Sequence, residues 1–221
     1  MGLVLTVVSM TVILGLKDGE QRVYFRVGGE WCYLWTPAEF KAGEKAPVVI
    51  HHNGARGYVR EGEADWLGTE SKAVFLRAVM EGSGCVVAGS HACGDHWGNG
   101  CAIEANTALL KMLDGCTGLD TSRLGLMGGG LGGALIWNSI LGPFAGRVKL
   151  VAVLQAVANL DAAVREHKFK DVCLRAYGLP EDTPDDEAVE KIGLHDPLLR
   201  LRALGRGTKL PKTAIYHGFK D

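Results

Sequence analysis

The segment LGLMGGGLGGAL, residues 124–135, decides the fold of this chain. It opens on the apolar run 124–127, which predicts a buried strand, and closes on an apolar, helix-forming stretch, so a strand passes into a helix within a few residues. Residues 128–133 are glycine except for Leu131. Glycines permit a strained turn and close strand–helix packing, and the first turn of a helix offers free N–H groups to negative charge. We therefore expect an anion-stabilising turn at the carboxyl end of a strand.

Outside this segment, short apolar strands alternate with amphipathic helices. The pattern predicts further strands at residues 47–50, 84–88, 148–154 and 213–216, and helices at residues 70–80, 103–113 and 131–141. Such alternation indicates an α/β fold, with a mainly parallel sheet and helices on both faces. Ligands of these sheets bind at the carboxyl ends of the strands, where the glycine-rich loops gather.

The amino-terminal part is different in character. Residues 1–45 predict a β-rich lead-in, with a hairpin formed by residues 22–27 and 31–35 around a Gly-Gly turn. Residues 1–16 carry no charge and predict one or two strands, with a cleaved or anchoring segment as the alternative.

Residues 161–204 are polar and predict helices, with breaks at 178–180 and 196–197. They fit a helical cap over a substrate site, or an ordinary pair of connecting helices.

Length and charge favour one globular domain spanning residues 1–221. Lys and Arg total 24 and Asp and Glu total 25, which gives a net charge of −1 and no basic stripe for nucleic acid. The uncharged run 1–16 is shorter than the roughly 20 residues of a membrane span, so no membrane partner is expected.

The six cysteines form no C-x-x-C pair, so we expect mostly buried, reduced thiols in a cytoplasmic protein.

From about residue 20 onward, five blocks in order resemble the α/β-hydrolase fold, chiefly its esterases and prolyl-oligopeptidase-like hydrolases. The blocks are APVVIHHNG at 46–54, DHWGN at 95–99, GGGLG at 128–132, HDP at 195–197 and LPKTAIYHGFKD at 210–221. GGGLG stands where the family has its nucleophile elbow, G-x-S-x-G. The resemblance implies hydrolysis of a small-molecule carboxylic ester, in preference to a peptide bond, through a serine acyl-enzyme and without a cofactor or metal.

The resemblance also assigns the catalytic positions. Gly130 marks the nucleophile and Asp221 matches the triad acid, which would orient an imidazole. The N–H of Leu131 matches the oxyanion donor that follows the nucleophile.

The remaining assignments fall on two loops. A second oxyanion donor is expected from Asn53, Gly54 or Ala55, with no choice among them. The residues at 95–97, namely Asp95, His96 and Trp97, are expected to line a substrate pocket or to cap the helix that follows.

Two departures from the family pattern imply that the chain as written is inactive. Position 130 is glycine, so no hydroxyl is present to attack a carbonyl. No histidine follows Asp221, where the family has a further strand and its triad histidine. The alternative is a non-catalytic protein of the same fold that binds a ligand or partner at the vestigial pocket.

Other patterns allow different chemistry. The glycines at 128, 130 and 133 also fit the dinucleotide motif G-x-G-x-x-G, although that motif belongs to the first strand–helix–strand unit. His51 and His52 suggest metal ligands, but neighbours on a strand point to opposite faces. His217 fits packing at a strand end better than it fits a catalytic base.

Overall fold

The computed structural model describes residues 15–166 and 168–218. Asp221 lies outside this range, as do residues 1–14, to which most of the predicted amino-terminal strands belong. The β-strands are β1 (Gln21–Val27), β2 (Glu30–Thr36), β3 (Ala46–His52), β4 (Val59–Arg60), β5 (Glu63–Ala64), β6 (Val86–Ser90), β7 (Leu119–Gly129), β8 (Val148–Leu154) and β9 (Lys212–Tyr216). The α-helices are α1 (Asp65–Gly68), α2 (Glu70–Ser83), α3 (Gly100–Asp114), α4 (Leu131–Ile140), α5 (Leu160–Arg165), α6 (Lys170–Ala176), α7 (Asp185–Ile192) and α8 (Pro197–Arg202), with a 3₁₀ turn at Gly193–His195.

Seven strands form one sheet in the order β1-β2-β6-β3-β7-β8-β9. β1 and β2 form the predicted antiparallel hairpin, β2 is antiparallel to β6, and the remaining pairings in this sheet are parallel. The predicted α/β fold with a mainly parallel sheet is therefore confirmed. β4 and β5 pair separately in a small antiparallel ladder that the sequence does not predict.

The direction of the strand connections changes between β3, the central strand, and its neighbour β7. The chain leaves β3 for β6 on one side and returns to β7 on the other, so these neighbours separate connections that run in opposite directions. Such a switch point opens a crevice at the carboxyl ends of the two strands. In register, His52 of β3 lies opposite Gly128 of β7 at that end.

Helices pack on both faces of the sheet, as predicted. α3 and α4 bury Leu109 and Ile136 in the same apolar cluster as Ile50 of β3. α2 buries Leu76 in a second cluster with Val87 of β6. Since successive side chains of a strand point to opposite faces, the two clusters lie on opposite sides of the sheet.

The face that carries α2 is open toward β8 and β9. Leu150 and Tyr216 are 59% and 60% exposed. With Val49 and Ala152 they line an apolar trough of about 1090 Å³. Leu150, in the apolar run of β8, is therefore not covered on this face by the described residues.

The segment 160–202 is helical, with interruptions where they are predicted. α6 ends before Gly178, and Pro197 begins α8 behind Asp196, whose carboxylate accepts the backbone N–H of Leu199 at 2.9 Å. The second carboxylate oxygen of Asp196 accepts the N–H of Leu160 at 2.6 Å and so ties α8 to the start of α5. Helices α5, α6 and α7 share an apolar cluster with Leu131 of α4. A role as a substrate-covering cap remains a prediction.

The cysteines only partly match the expectation of reduced thiols. Cys93 and Cys101 are joined by a disulfide, which corrects the prediction for this pair. The spacing of eight residues gave no signal because a loop folds back between them. The other four, Cys32, Cys85, Cys116 and Cys173, are free and buried.

Within the described ranges, none of the helices has both the length and the apolar character needed to cross a bilayer.

Candidate active site

The turn between β7 and α4 is formed by one residue, Gly130. Its φ of 52° and ψ of −121° place it in a region that L side chains rarely adopt. The carbonyl of Gly130 accepts the N–H groups of Gly133 and Val157, both at 3.0 Å, and its own N–H donates to the carbonyl of Leu154 at 3.2 Å. These contacts fix the turn from α4, from β8 and from the loop after β8, so the predicted sharp strand-to-helix turn is present.

The glycines of this turn differ in how closely they pack against neighbouring atoms. A Cβ at Gly132 would lie 2.3 Å from the carbonyl oxygen of His52, and one at Gly128 would lie 2.7 Å from the same oxygen. A Cβ at Gly133 would lie 2.3 Å from the Cβ of Ala156. A Cβ at Gly130 meets nothing within 4 Å. Close packing therefore excludes side chains at 128, 132 and 133, whereas position 130 has open space.

A cavity of about 300 Å³ lies over this open position. Gly130, Gly54 and Ala55 line it, and so do His51 and Trp66. Its volume is at the lower limit of small-ligand sites. The cavity brings the predicted nucleophile position together with two of the three candidates for the second oxyanion donor.

The loop after β3 is held against the turn by close contacts. A Cβ at Gly54 would lie 3.0 Å from the carbonyl oxygen of Gly129, so glycine is needed there for the two backbones to meet. Asn53 is buried and donates its side-chain N–H to the carbonyl of Ser90 at 3.1 Å. Asn53 is not among the residues that line the cavity. Its side chain anchors the loop, and Gly54 and Ala55 line the cavity beside Gly130.

The first turn of α4 faces the same position. Leu131 is the first residue of the helix, and the N–H groups of a first turn have no acceptor within the helix. The partial positive charge of the helix N-terminus adds to this donor. The backbone around Gly130 can thus stabilise a negatively charged oxygen.

The residues predicted to line a pocket at 95–97 lie elsewhere. His96 is 1% exposed and its Nδ1 accepts the N–H of Gly98 at 2.9 Å; burial lowers its pKa to about 4. Trp97 packs in the apolar cluster of the 160–202 helices. Asp95 is exposed and accepts the backbone N–H of Arg56 at 2.6 Å. None of the three lines the cavity at Gly130.

His51 lines the cavity, which the sequence does not predict. Its ring lies 4.2 Å from that of Trp66, centre to centre, and its Nδ1 lies 3.2 Å from the hydroxyl of Tyr33. Burial lowers the pKa of His51 to about 3, so the imidazole is neutral and a weak base. His52 is also buried, and burial lowers its pKa to about 3. The alternation of side chains along β3 places only His51 in the cavity lining.

An ion pair lies at the cavity as well. Lys72 of α2 donates to the carboxylate of Asp65 at 2.6 Å, and its ammonium group lies 5.8 Å from the ring centre of Trp66. The helical periodicity of residues 70–80 predicts α2 but does not reveal that Lys72 pairs with Asp65.

In residues 15–166 and 168–218 no three metal-ligating side chains group together. His217 is exposed, with Nδ1 beside the carbonyl of Gly218.

Solved structures share this architecture. Prolyl oligopeptidase B from Galerina marginata, in its apo form, matches 91% of this chain with a TM-score of 0.67 and 14% sequence identity. A structure from an analysis of two prolyl endopeptidases matches 89% with a TM-score of 0.61 and 15% identity. The chain spans 29% of the length of each of them. No family model and no curated protein sequence matches the chain.

Proposed function

We propose, from the α/β-hydrolase fold that the chain shares with these peptidases, that it belongs to a serine-hydrolase lineage and keeps the acyl-binding part of the site without its nucleophile. The substrate class is a carboxylic acyl derivative, either an ester or a peptide-like amide. With glycine at position 130 the chain forms no acyl-enzyme, because no Oγ is available. Removing such a nucleophile costs a serine hydrolase roughly 10⁶-fold in rate.

The observation that carries this proposal is the contrast within the turn. Gly128 and Gly132 are enforced by contacts with the carbonyl oxygen of His52, yet Gly130 has an unusual backbone conformation and room for a side chain. Close packing alone does not require open space around position 130. A turn built to present a nucleophile needs it, together with the N–H donors of the helix start.

The solved neighbours and the aromatic residues of the cavity indicate which acyl group the site would take. The solved neighbours are named as peptidases, so they favour a peptide-like substrate over the carboxylic ester suggested by the sequence blocks. The aromatic wall formed by Trp66 and Phe75, with ring centres 6.2 Å apart, suits an apolar group beside the scissile carbonyl. The alternative is a binding protein that uses the same cavity, and it is favoured because Gly130 has no side chain to act as a nucleophile.

The cytoplasmic location remains a prediction.

The test restores a nucleophile that needs no separate base. A Gly130→Cys substitution places a thiol at the turn, and a helix N-terminus lowers a thiol pKa enough to supply thiolate near neutral pH. We expect p-nitrophenyl acetate to acylate this thiol and to release one equivalent of p-nitrophenolate per chain. The unaltered protein, whose four free cysteines are buried, gives the background.

A matched control is Gly146→Cys. Gly146 also has a positive φ, 74°, and open space around a Cβ, but it does not line the cavity. We expect acylation at position 130 to be at least about tenfold faster than at position 146, because only position 130 adjoins oxyanion donors. Equal rates in the two variants would overturn the proposal.

A further inference from the structure

The disulfide between Cys93 and Cys101 lies closer to the surface than the free cysteines do. Cys101 is exposed and Cys93 is half-buried, whereas the four free cysteines are buried. Burial raises the pKa of Cys32 and Cys173 to about 12, which keeps those thiols protonated and unreactive. Disulfides that are exposed exchange more readily than buried structural ones.

The bond closes a loop whose backbone is held in unfavourable conformations. Ala92, Cys93 and Trp97 have φ values of 50°, 61° and 47°, a region that non-glycine residues rarely occupy. Such conformations persist only where surrounding contacts determine them. The disulfide joins this loop to the first turn of α3 and is one of those contacts.

The loop in turn holds the segment that lines the cavity. Between the two cysteines, the Asp95 carboxylate accepts the N–H of Arg56 at 2.6 Å. Arg56 itself has a φ of 60° and directly follows Gly54 and Ala55, the two cavity-lining candidates for the second oxyanion donor. A charge-assisted hydrogen bond of this kind is stronger than a neutral one. The chain of contacts therefore runs from the disulfide through Asp95 to the oxyanion loop.

We propose that the Cys93–Cys101 disulfide is a redox-modifiable site that positions the loop at residues 53–57 through Asp95. The inference rests on the proposed function, since it gives that loop its oxyanion role. An external dithiol performs the switch: its thiolate attacks one sulfur, the Cys93–Cys101 bond breaks, and its second thiol resolves the mixed disulfide. The protein ends with two thiols and the reagent ends as a disulfide. Asp95 acts here as a positioning residue and has no contact with substrate.

The experiment measures amide hydrogen exchange at Arg56 in the unaltered chain, before and after reduction with dithiothreitol. We expect reduction to speed exchange at Arg56 at least about tenfold and to leave the core amide of Leu126 unchanged. A Cys93→Ser/Cys101→Ser double variant should exchange as the reduced protein does. Asp95→Ala should exchange rapidly in both redox states, while Asp95→Asn, which keeps an acceptor oxygen, should retain most of the dependence on redox state.

The outcomes separate this inference from the proposed function. Identical exchange at the Arg56 amide in the oxidised and reduced protein would overturn the switch. The switch would also be overturned if Cys93 and Cys101 stayed reduced in the presence of oxidised glutathione. A redox-dependent Arg56 together with no acylation of the Gly130→Cys thiol would support the switch and reject the hydrolase lineage. An altered exchange at Leu126 would show that reduction unfolds the chain, and this also overturns the switch.

Discussion

The turn at residues 128–133 and the sheet face around Leu150 differ in how fully their contacts determine the structure. At the turn, backbone meets backbone so closely that Gly128 and Gly132 admit no side chain. On the open face, Leu150 and Tyr216 are more than half exposed and line an apolar trough. Close backbone packing and hydrogen bonds therefore fix the turn, while the outer part of the sheet has no comparable contacts among the described residues.

The largest expected effect comes from a methyl group at the packed turn. Gly132→Ala would place a Cβ 2.3 Å from the carbonyl oxygen of His52, so either β3 or α4 must move. We expect a loss of about 3 kcal/mol or more in the free energy of unfolding, since overpacking against backbone finds no flexible side chain to yield. Urea denaturation measures it. A loss below about 1 kcal/mol would show that the turn is not tightly packed.

Acid should lower the free energy of unfolding because His52 is buried in the packed region as a neutral imidazole. Burial lowers the pKa of His52 to about 3 in the folded chain, against about 6.5 when unfolded. The unfolded chain therefore binds the proton first, so this contribution to stability is complete above pH 6.5 and declines as the pH falls toward 3. From pH 7 to pH 5 the loss should be about 2 kcal/mol.

The check is urea denaturation of His52→Gln at both pH values. This variant should lose about 2 kcal/mol less than the unaltered chain between pH 7 and pH 5. His217→Gln, at the exposed end of β9, is the control and should lose as much as the unaltered chain. Equal losses for all three proteins would contradict the account of His52.

A smaller effect on the free energy of unfolding is expected at position 130 than at position 132. A Cβ of Gly130→Ala meets no atom within 4 Å, and its cost is only the positive φ, partly offset by the reduced entropy of the unfolded chain. We expect a loss of about 1 kcal/mol. Calorimetry of this variant beside Gly132→Ala sharpens the comparison, and similar losses would remove the distinction between the two glycines.

The smallest effect is expected on the open face. Leu150→Ala should change the free energy of unfolding by about 0.5 kcal/mol, because the side chain is already 59% exposed. Its matched partner Leu126→Ala, on the packed face and 2% exposed, should cost about 2–5 kcal/mol. Comparable costs in urea denaturation would mean that the trough is closed in solution.

The sequence predicts the parts of this molecule that depend on local periodicity. The hairpin before residue 37, the parallel strands and α2 to α4 follow from alternation and from the spacing of apolar residues. The sharp turn at Gly130 is predicted because the glycine cluster at 128–133 permits a strained conformation between a strand and a helix.

What the sequence does not predict depends on contacts between distant residues. The Cys93–Cys101 bond needs the loop between them to fold back, and the pair has no recognisable spacing. His96 and Trp97 follow a strand and so suggest a rim pocket, but helices from 160–202 cover Trp97 and burial encloses His96. His51 was missed as a cavity residue because Trp66, which contacts it, is fifteen positions away along the chain.

The central claim is that the turn retains the electrostatics of a nucleophile site although position 130 is glycine. The most direct measurement is the pKa of the thiol introduced by Gly130→Cys, followed by thiolate absorbance against pH. We predict a value of about 7.5 or lower, as at other helix N-termini, while the thiol of Gly146→Cys stays near about 8.5. A pKa at position 130 equal to or above that at position 146 would contradict the claim.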